Sequence, residues 1–302
     1  MTDWHIIKSG HLTRNKFWGE DESIAYHPCI ATTTVIQTGD CNILVDPGEM
    51  ADDLKFDLYT KCGLKPEDID IVYSTHKHFD HWMGVNAFEK ADFYMAAKDL
   101  AFLKEHVDLL AADHADIIRR GKPASGKLMD GIDIIELPGH TSGLAGLLFE
   151  ASEGKILVSG DAVMTYEFFR AKEGYFFSSN AEESKKSIEK AACVADYIIP
   201  GHGNYFSIKA YPFIDTSLET KLDKTGINLN NPGVISLDTL LEEILKLDGA
   251  QPLVEAVFGN QMPANNMVIY ADVPIGVFIK SLSLNSGKVS AMIRDLNELK
   301  EN

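Results

Sequence analysis

Residues 75–81 read Thr75-His76-Lys77-His78-Phe79-Asp80-His81, directly after a β-branched run that ends at Ser74. Three imidazoles and a carboxylate this close together do not share one face of a strand or a helix, whose faces repeat about every 2 and 3.6 residues. The stretch therefore predicts a loop that aims its side chains at a common centre. The alternative is a polar surface loop, but 10 histidines in 302 residues rarely cluster in this way by chance.

The residue types in this loop indicate a catalytic metal site. Imidazole nitrogens with a carboxylate oxygen suit zinc, iron or manganese. No thiolate stands close by in the sequence, which argues against a closed structural zinc site.

Three more candidate side chains follow predicted strands further along the chain, each directly after a glycine. They are His140 in Pro138-Gly139-His140-Thr141, Asp161 in Ser159-Gly160-Asp161-Ala162, and His202 in Pro200-Gly201-His202-Gly203. Taken singly, each is equally compatible with an ordinary turn residue. Upstream, Asp46-Pro47-Gly48 ends another predicted strand, and Asp46 has a structural reading as a turn former before proline.

The order of these elements predicts an α/β protein with mixed sheets. Short β-branched runs, which predict strands, occupy residues 32–37, 42–45, 69–74, 132–137, 155–159 and 197–199. A helix is predicted at 181–195, with Asn180 as its N-cap and Glu183 three positions later. After about residue 225 a loop-like join at 228–233 precedes helices near 237–247 and 289–300 and strands at 267–271 and 276–280. We therefore predict a catalytic domain at 1–225 and an accessory region at 226–302.

The chain contains, in this order, Asp46-Pro47-Gly48, HxHxDH, Gly-His, Gly-Asp and Gly-His. This order resembles the motifs of the metallo-β-lactamase superfamily of binuclear metallohydrolases. The resemblance covers roughly residues 30–210. It implies an αββα sandwich with metals at one edge between the two sheets, here followed by a C-terminal accessory α/β region. The sequence contains no GxSxG elbow, P-loop or GxGxxG motif, any of which would indicate a different class of enzyme.

Carried over to this chain, the resemblance implies a complete ligand set for two divalent ions, zinc before iron or manganese. His76, His78 and His140 would hold one ion; Asp80, His81 and His202 would hold the other, with Asp161 bridging. Asp80 would also be the catalytic acid and base. Asp46 would orient a ligand histidine or its loop rather than touch metal.

The implied reaction is attack by a metal-bridged hydroxide on an ester, thioester, lactone or phosphodiester of a small molecule. Tyr166 and Phe168 follow the Asp161 loop and are expected to line the substrate pocket, with core packing as the alternative. Three other functions stay open: a mono-iron sulfur or persulfide dioxygenase, a metal-dependent nuclease, and a metal-binding module without catalysis. The number of ions separates the first of these from the hydrolase.

The amino-acid composition limits the classes of binding partner and the cellular locations to be expected. The chain has 28 basic and 45 acidic residues, a net charge of −17, which argues against nucleic acid as a partner. Four cysteines without a CxxC pair suggest reduced thiols and a cytoplasmic protein. Residues 1–20 contain seven charged or histidine side chains and do not suggest a signal peptide, and no apolar run is long enough for a membrane span. A small-molecule substrate is expected, and a homo-oligomer is compatible with the sequence.

Overall fold

The computed structural model describes residues 2–39, 41–49, 51–214, 235–237, 239–259, 262, 267–282, 284 and 286–301. Within these residues the strands form two six-stranded mixed sheets. The first sheet contains, in spatial order, β1 (Asp3–Lys8), β2 (Thr33–Thr38), β3 (Cys41–Val45), β4 (Ile71–Ser74), β5 (Asp92–Ala96) and β6 (Lys122–Ala124). The second contains β12 (Phe206–Ser207), β11 (Tyr197–Pro200), β10 (Gly154–Gly160), β9 (Ala145–Ala151), β8 (Ile132–Glu136) and β7 (Lys127–Met129).

Each of the six β-branched runs forms a strand, with ends displaced by no more than two residues from the predicted ones. The two sheets face each other across an apolar core to which strands of both contribute, Ile36 and Val45 from one and Leu147 and Val158 from the other. The phenol of Tyr73 crosses this core and donates to the Ala145 carbonyl at 2.9 Å. The inner layers of the predicted sandwich are confirmed.

Helices cover the outer face of each sheet. The first sheet carries α1 (Ala51–Cys62), α2 (Ala97–Glu105) and α3 (Ala112–Arg120), and the second carries α4 (Tyr166–Ala171) and α5 (Ala181–Val194). The predicted cap of α5 is confirmed, because the Asn180 side chain accepts from the Glu183 amide at 3.0 Å. The architecture is therefore αββα, as the resemblance to the metallo-β-lactamase superfamily implied.

The C-terminal region is helical where the structure describes it, which corrects the expected α/β character. Its helices are α6 (Leu241–Leu245), α7 (Ala250–Phe258), α8 (Ile275–Ser281) and α9 (Ser286–Glu301). Residues predicted as strands at 276–280 lie in α8, and Val268–Tyr270 form a 3-10 turn within the stretch predicted as a strand at 267–271. Ile275 and Phe278 are both buried three positions apart, which is a helical spacing that such a short apolar run does not reveal.

This region has an apolar core of its own, in which α6–α9 pack together. It also contacts the sandwich, because Val268 and Ile269 are buried in the cluster beneath α1–α3. The join predicted at 228–233 lies outside the described residues, so the boundary at 225 stays a prediction. Among the described residues, no helix has both the length and the apolarity needed to cross a membrane.

Candidate metal centre

The candidate ligands meet at one edge of the sandwich because the strands that precede them point the same way. In the first sheet β3 and β4 are parallel. In the second, β10 and β11 are parallel, and β8 shares their direction across the antiparallel β9. Two backbone hydrogen bonds join the sheets at this edge: Ala145 N donates to Thr75 O at 3.0 Å, and Thr32 N donates to Gly201 O at 2.7 Å.

A first donor set consists of His76, His78, His140 and Asp161, all buried. The Nε2 atom of His140 lies 2.8 Å from His78 Nδ1 and 3.1 Å from Asp161 Oδ2. The Nε2 atom of His76 lies 3.8 Å from the same carboxylate oxygen. Two imidazoles therefore lie beside Asp161 Oδ2, and the third, that of His78, contacts the ring of His140.

A second donor set faces the other oxygen of the same carboxylate. His81 Nε2 lies 3.1 Å and His202 Nε2 3.4 Å from Asp161 Oδ1. The Oδ2 atom of Asp80 stands beside both rings, at 3.8 Å from His81 Nε2 and 3.6 Å from His202 Nε2. The structure thus brings together all seven side chains predicted as ligands, and Asp161 presents one oxygen to each set.

Buried partners orient the second set. Asp46, which has a φ of 52°, accepts from the Thr75 amide and hydroxyl, both at 2.8 Å. Its Oδ2 atom also lies 2.9 Å from His81 Nδ1. The Nδ1 atom of His202 donates to the Ile30 carbonyl at 2.8 Å, which leaves Nε2 turned toward the carboxylates. The structure places Asp46 behind a candidate ligand, in the position that the resemblance implied.

The unsatisfied atoms of the site test whether it suits a metal. His76 Nε2, His78 Nε2, His81 Nε2 and Asp161 Oδ1 are buried and have no hydrogen-bond partner. Such atoms are costly in a protein interior unless they bind another group. Imidazole nitrogens grouped around a carboxylate are donors for divalent transition metals, so the residues fit the implied cofactor.

Charge is distributed unevenly between the two sets. Burial, together with neighbouring imidazoles, holds the pKa of His76 and of His78 well below the usual value, so both rings are neutral. At His81 and His202 burial opposes protonation, yet Asp161 raises the pKa of each ring well above its usual value. These rings in turn hold the pKa of Asp161 well below normal despite its burial. A dication takes the place of such protons when it binds.

Two glycines make room for neighbouring side chains at the site, Gly201 for Asp161 and Gly160 for Thr75. A Cβ on Gly201 would stand 1.9 Å from Asp161 Oδ1, and one on Gly160 would stand 2.4 Å from Thr75 Oγ1. Gly160 also has a φ of 50°, which favours glycine. The glycine that precedes Asp161 and the one that precedes His202 therefore have a structural reason in this chain.

A cavity of about 320 Å³ opens onto both donor sets. Its apolar wall comes from two parts of the chain: Met164, Tyr175, Phe176 and Phe177 of the sandwich, and Met262, Tyr270 and Leu282 of the C-terminal region. Cys29, Thr13 and Arg14 of the N-terminal segment complete the rim.

The two residues predicted to bind substrate are not among those that line this cavity. The ring of Tyr166 packs on Tyr211 with centroids 4.9 Å apart, and Phe168 is buried behind Tyr175. This corrects their placement: α4 turns Phe168 into a small core and leaves Tyr166 on the surface. Tyr175 and Tyr270 line the cavity instead, and no sequence signal pointed to either residue.

An ion pair ties the C-terminal region to the metal loop. The Lys77 side chain, buried within the HxHxDH stretch, points away from the donor atoms and pairs with Asp272. The Ser179 hydroxyl lies within donor distance of two acceptors, the other Asp272 oxygen at 2.8 Å and the His140 carbonyl at 3.1 Å, and shares its single proton between them. No sequence pattern indicated the Asp272 contact, because the paired residues are 195 positions apart.

Comparison with known proteins adds three findings at the level of sequence. A family model described as the metallo-beta-lactamase superfamily matches residues 27–202. The chain is 30% identical over 182 residues to "Metallo-beta-lactamase domain-containing protein 1" of Xenopus laevis, covering 59% of this chain and 72% of that protein. It is 29% identical over 152 residues to an N-acyl homoserine lactonase of a Bacillus species, covering 48% of this chain and 58% of the lactonase.

Solved structures show the same fold at low identity. A probable metal-dependent hydrolase from Staphylococcus aureus superposes with a TM-score of 0.53 at 16% identity, covering 67% of this chain and 89% of its own. A candidate metallo-β-lactamase from Thermotoga maritima gives 0.51 at 19% identity, covering 68% of this chain and 99% of its own. These likenesses support the architecture and leave the reaction to be argued from the site.

Proposed function

This chain belongs to the metallo-β-lactamase superfamily, and from that premise we propose that it is a metal-dependent hydrolase with two divalent ions. The single observation that carries the proposal is the position of Asp161. Its Oδ2 atom faces one set of imidazoles and its Oδ1 atom faces another. One carboxylate shared in this way suits two ions better than one.

We assign the ligands as follows. The first ion would be held by His76, His78, His140 and Asp161, and the second by Asp80, His81, His202 and Asp161. Zinc fits this donor set, and iron or manganese would also accept nitrogen and oxygen ligands. Asp46 would fix the ring of His81 through Nδ1.

When bound, the two ions would supply a water of lowered pKa and a Lewis acid for the substrate oxygen. The protein residues would do the rest. Asp161 would hold the two sites at a fixed separation. Asp80, whose side chain reaches the cavity, would accept a proton from the attacking water at the carboxylate oxygen that does not hold the ion, and would return it to the leaving group.

The cavity favours a small acyl compound: an ester, a thioester or a lactone. Its volume of about 320 Å³ is at the small end of ligand pockets, and methionine and aromatic side chains dominate its wall. A lactone is compatible with the likeness to the Bacillus lactonase. The net charge of −17 argues against a nucleic-acid substrate. The four free cysteines suit a reducing compartment such as the cytoplasm.

Metal analysis of the purified protein, followed by rates on esters, thioesters, lactones and phosphodiesters, tests the proposal. We expect two ions per chain, hydrolysis of at least one acyl substrate, and loss of the activity on chelation with recovery on adding zinc. A single redox-active iron per chain, with oxygen consumption on a thiol or persulfide, would replace the hydrolase by the dioxygenase. Cleavage of RNA or DNA with no acyl hydrolysis would replace it by a nuclease.

A further inference from the structure

Cys29 lies on the rim of the cavity with its sulfur turned toward the second donor set. The residue as a whole is exposed. Its Sγ atom nevertheless lies 3.1 Å from Asp80 Oδ2 and 4.0 Å from His202 Nε2. Cys29, Asp80 and His202 thus form a third group of potential metal donors, which shares Asp80 and His202 with the second set.

These separations are short enough for one ion to hold all three atoms. Zinc binds sulfur at about 2.3 Å and nitrogen or oxygen at about 2.0–2.2 Å, so a sulfur and a second donor on one ion lie at most about 4.5 Å apart. Both distances from the Cys29 sulfur are below that limit. A second observation points to a ligand in the same place, because His81 Nε2 is fully buried, lacks a hydrogen-bond partner and lies 3.8 Å from Asp80 Oδ2.

The backbone holds Cys29 in this position. The next residue, Ile30, exchanges two hydrogen bonds with His11, at 2.7 and 3.0 Å. The Ile30 carbonyl is also the acceptor of His202 Nδ1. The segment that carries the thiol is therefore fastened to a candidate ligand, and Pro28 on the other side restricts the backbone further.

We propose that Cys29 is a thiolate ligand of the second metal ion, so that this site combines sulfur with the nitrogen and oxygen donors implied by the family motifs. The inference rests on the proposed function, since it concerns the same centre. In the protein without metal, the Cys29 thiol donates to Asp80 Oδ2 at 3.1 Å. On coordination the S–H proton is released to the solvent and the sulfur lone pair binds the ion.

A thiolate would distinguish the two metal sites chemically. The first set offers three imidazoles and a carboxylate, which zinc, iron and manganese all accept. Sulfur is a soft donor that favours zinc or cobalt over manganese and magnesium. We therefore expect the second site to select zinc against manganese more strongly than the first.

Cobalt(II) titration of the metal-free protein, followed by absorption spectroscopy, tests the proposal. Thiolate bound to cobalt gives an intense charge-transfer band in the near ultraviolet, which nitrogen and oxygen ligands do not. We expect this band to appear with the second equivalent of cobalt and to be absent in Cys29→Ser and Cys29→Ala. Second-site affinity in both variants should fall by more than about tenfold, the lower bound for losing even an outer partner of a metal ligand. Cys193→Ser, an exposed cysteine on α5, is the matched control and should keep the band.

The serine variant separates ligation from hydrogen bonding, because its hydroxyl can still donate to Asp80. Two bound cobalt ions without the charge-transfer band, or a band unchanged in Cys29→Ser, would overturn the role of Cys29 and leave the binuclear hydrolase standing. Failure of the wild-type protein to bind a second ion would overturn both. If a variant unfolds, protection of Cys29 from iodoacetamide by two equivalents of zinc in the wild type decides the matter: alkylation at the metal-free rate refutes the proposal.

Discussion

The two-sheet region, residues 2–214, and the C-terminal helical region, residues 235–301, contribute different things to the same cavity. The first supplies every predicted ligand, on short loops that follow strands of a well-packed sandwich. The second supplies none of them, but adds Met262, Tyr270 and Leu282 to the cavity wall.

We infer from this comparison that the two-sheet region carries the metal chemistry and that the C-terminal region shapes the space for the substrate. Ligand loops need a rigid edge, which two sheets joined across a common core provide. The cavity wall needs only apolar side chains held at the right distance from the site. A helical layer with its own apolar core can hold them there. Variants in the first region should therefore change metal content and kcat, and variants in the second should change KM and substrate preference.

The largest loss of kcat/KM is expected from Asp161→Asn, because this carboxylate serves both donor sets. The second set loses a charged ligand, while the three histidines of the first remain. Bound metal should fall from two ions toward one, and kcat/KM by more than about 100-fold, since losing only an outer partner of a metal ligand costs about 10–100-fold. Metal analysis and initial rates check this, with the exposed Asp113→Asn as control. Two retained ions and a near-normal rate would mean that Asp161 is not shared.

Asp46→Asn is expected to have a smaller effect, a loss of zinc affinity at the second site. Asparagine tolerates the positive φ of this position and can still accept from the Thr75 amide. It removes the charge that faces His81 Nδ1, so the affinity of the second site for zinc should fall by about 10–100-fold. Competition with a chromophoric chelator measures the affinity, again beside Asp113→Asn. Unchanged affinity would show that the charge of Asp46 does not support the ligand.

The C-terminal region should respond differently when its link to the metal loop is broken. Asp272→Asn leaves Lys77 buried without its counterion, and breaking such a buried pair costs about 3–5 kcal/mol. We expect a lower free energy of unfolding and a raised KM, with two metal ions still bound. Denaturant unfolding, metal analysis and steady-state kinetics check this, with Asp295→Asn, a more exposed acid on α9, as control. Loss of metal without a change in KM would contradict the expectation that the C-terminal region shapes the substrate cavity and does not affect metal binding.

The smallest change in kcat/KM is expected from Met262→Ala, which removes apolar surface from the cavity wall. For a short acyl substrate kcat/KM should fall by about fourfold, the equivalent of one buried methylene at about 0.8 kcal/mol. Longer acyl chains should fill the vacated space and lose less. Rates on a series of acyl lengths measure this, with Leu109→Ala, an exposed residue of the sandwich, as control. An equal loss at every length would place Met262 outside the substrate contact.

Much of the architecture could be read from local patterns. The β-branched runs predicted six strands, and Asn180 predicted where α5 begins, because strand alternation and helix caps depend on neighbours a few residues apart. The same reasoning failed at 267–271 and 276–280. A short run of apolar residues fits a buried strand and a buried helical turn equally well, and only the surrounding packing decides between them.

The motifs that resemble the metallo-β-lactamase superfamily were enough to predict the donor set, because each candidate ligand lies in a short loop directly after a strand or in a turn marked by glycine. The same resemblance implied the sandwich that gathers those loops at one edge, whereas local patterns alone indicated only an α/β protein with mixed sheets. Tertiary structure alone decided which residues surround that edge: it brought Cys29 to Asp80 across 51 positions and Asp272 to Lys77 across 195, and it turned Tyr166 and Phe168 away. Such contacts leave no periodic trace, because they depend on how whole elements pack rather than on the spacing of residues within one element.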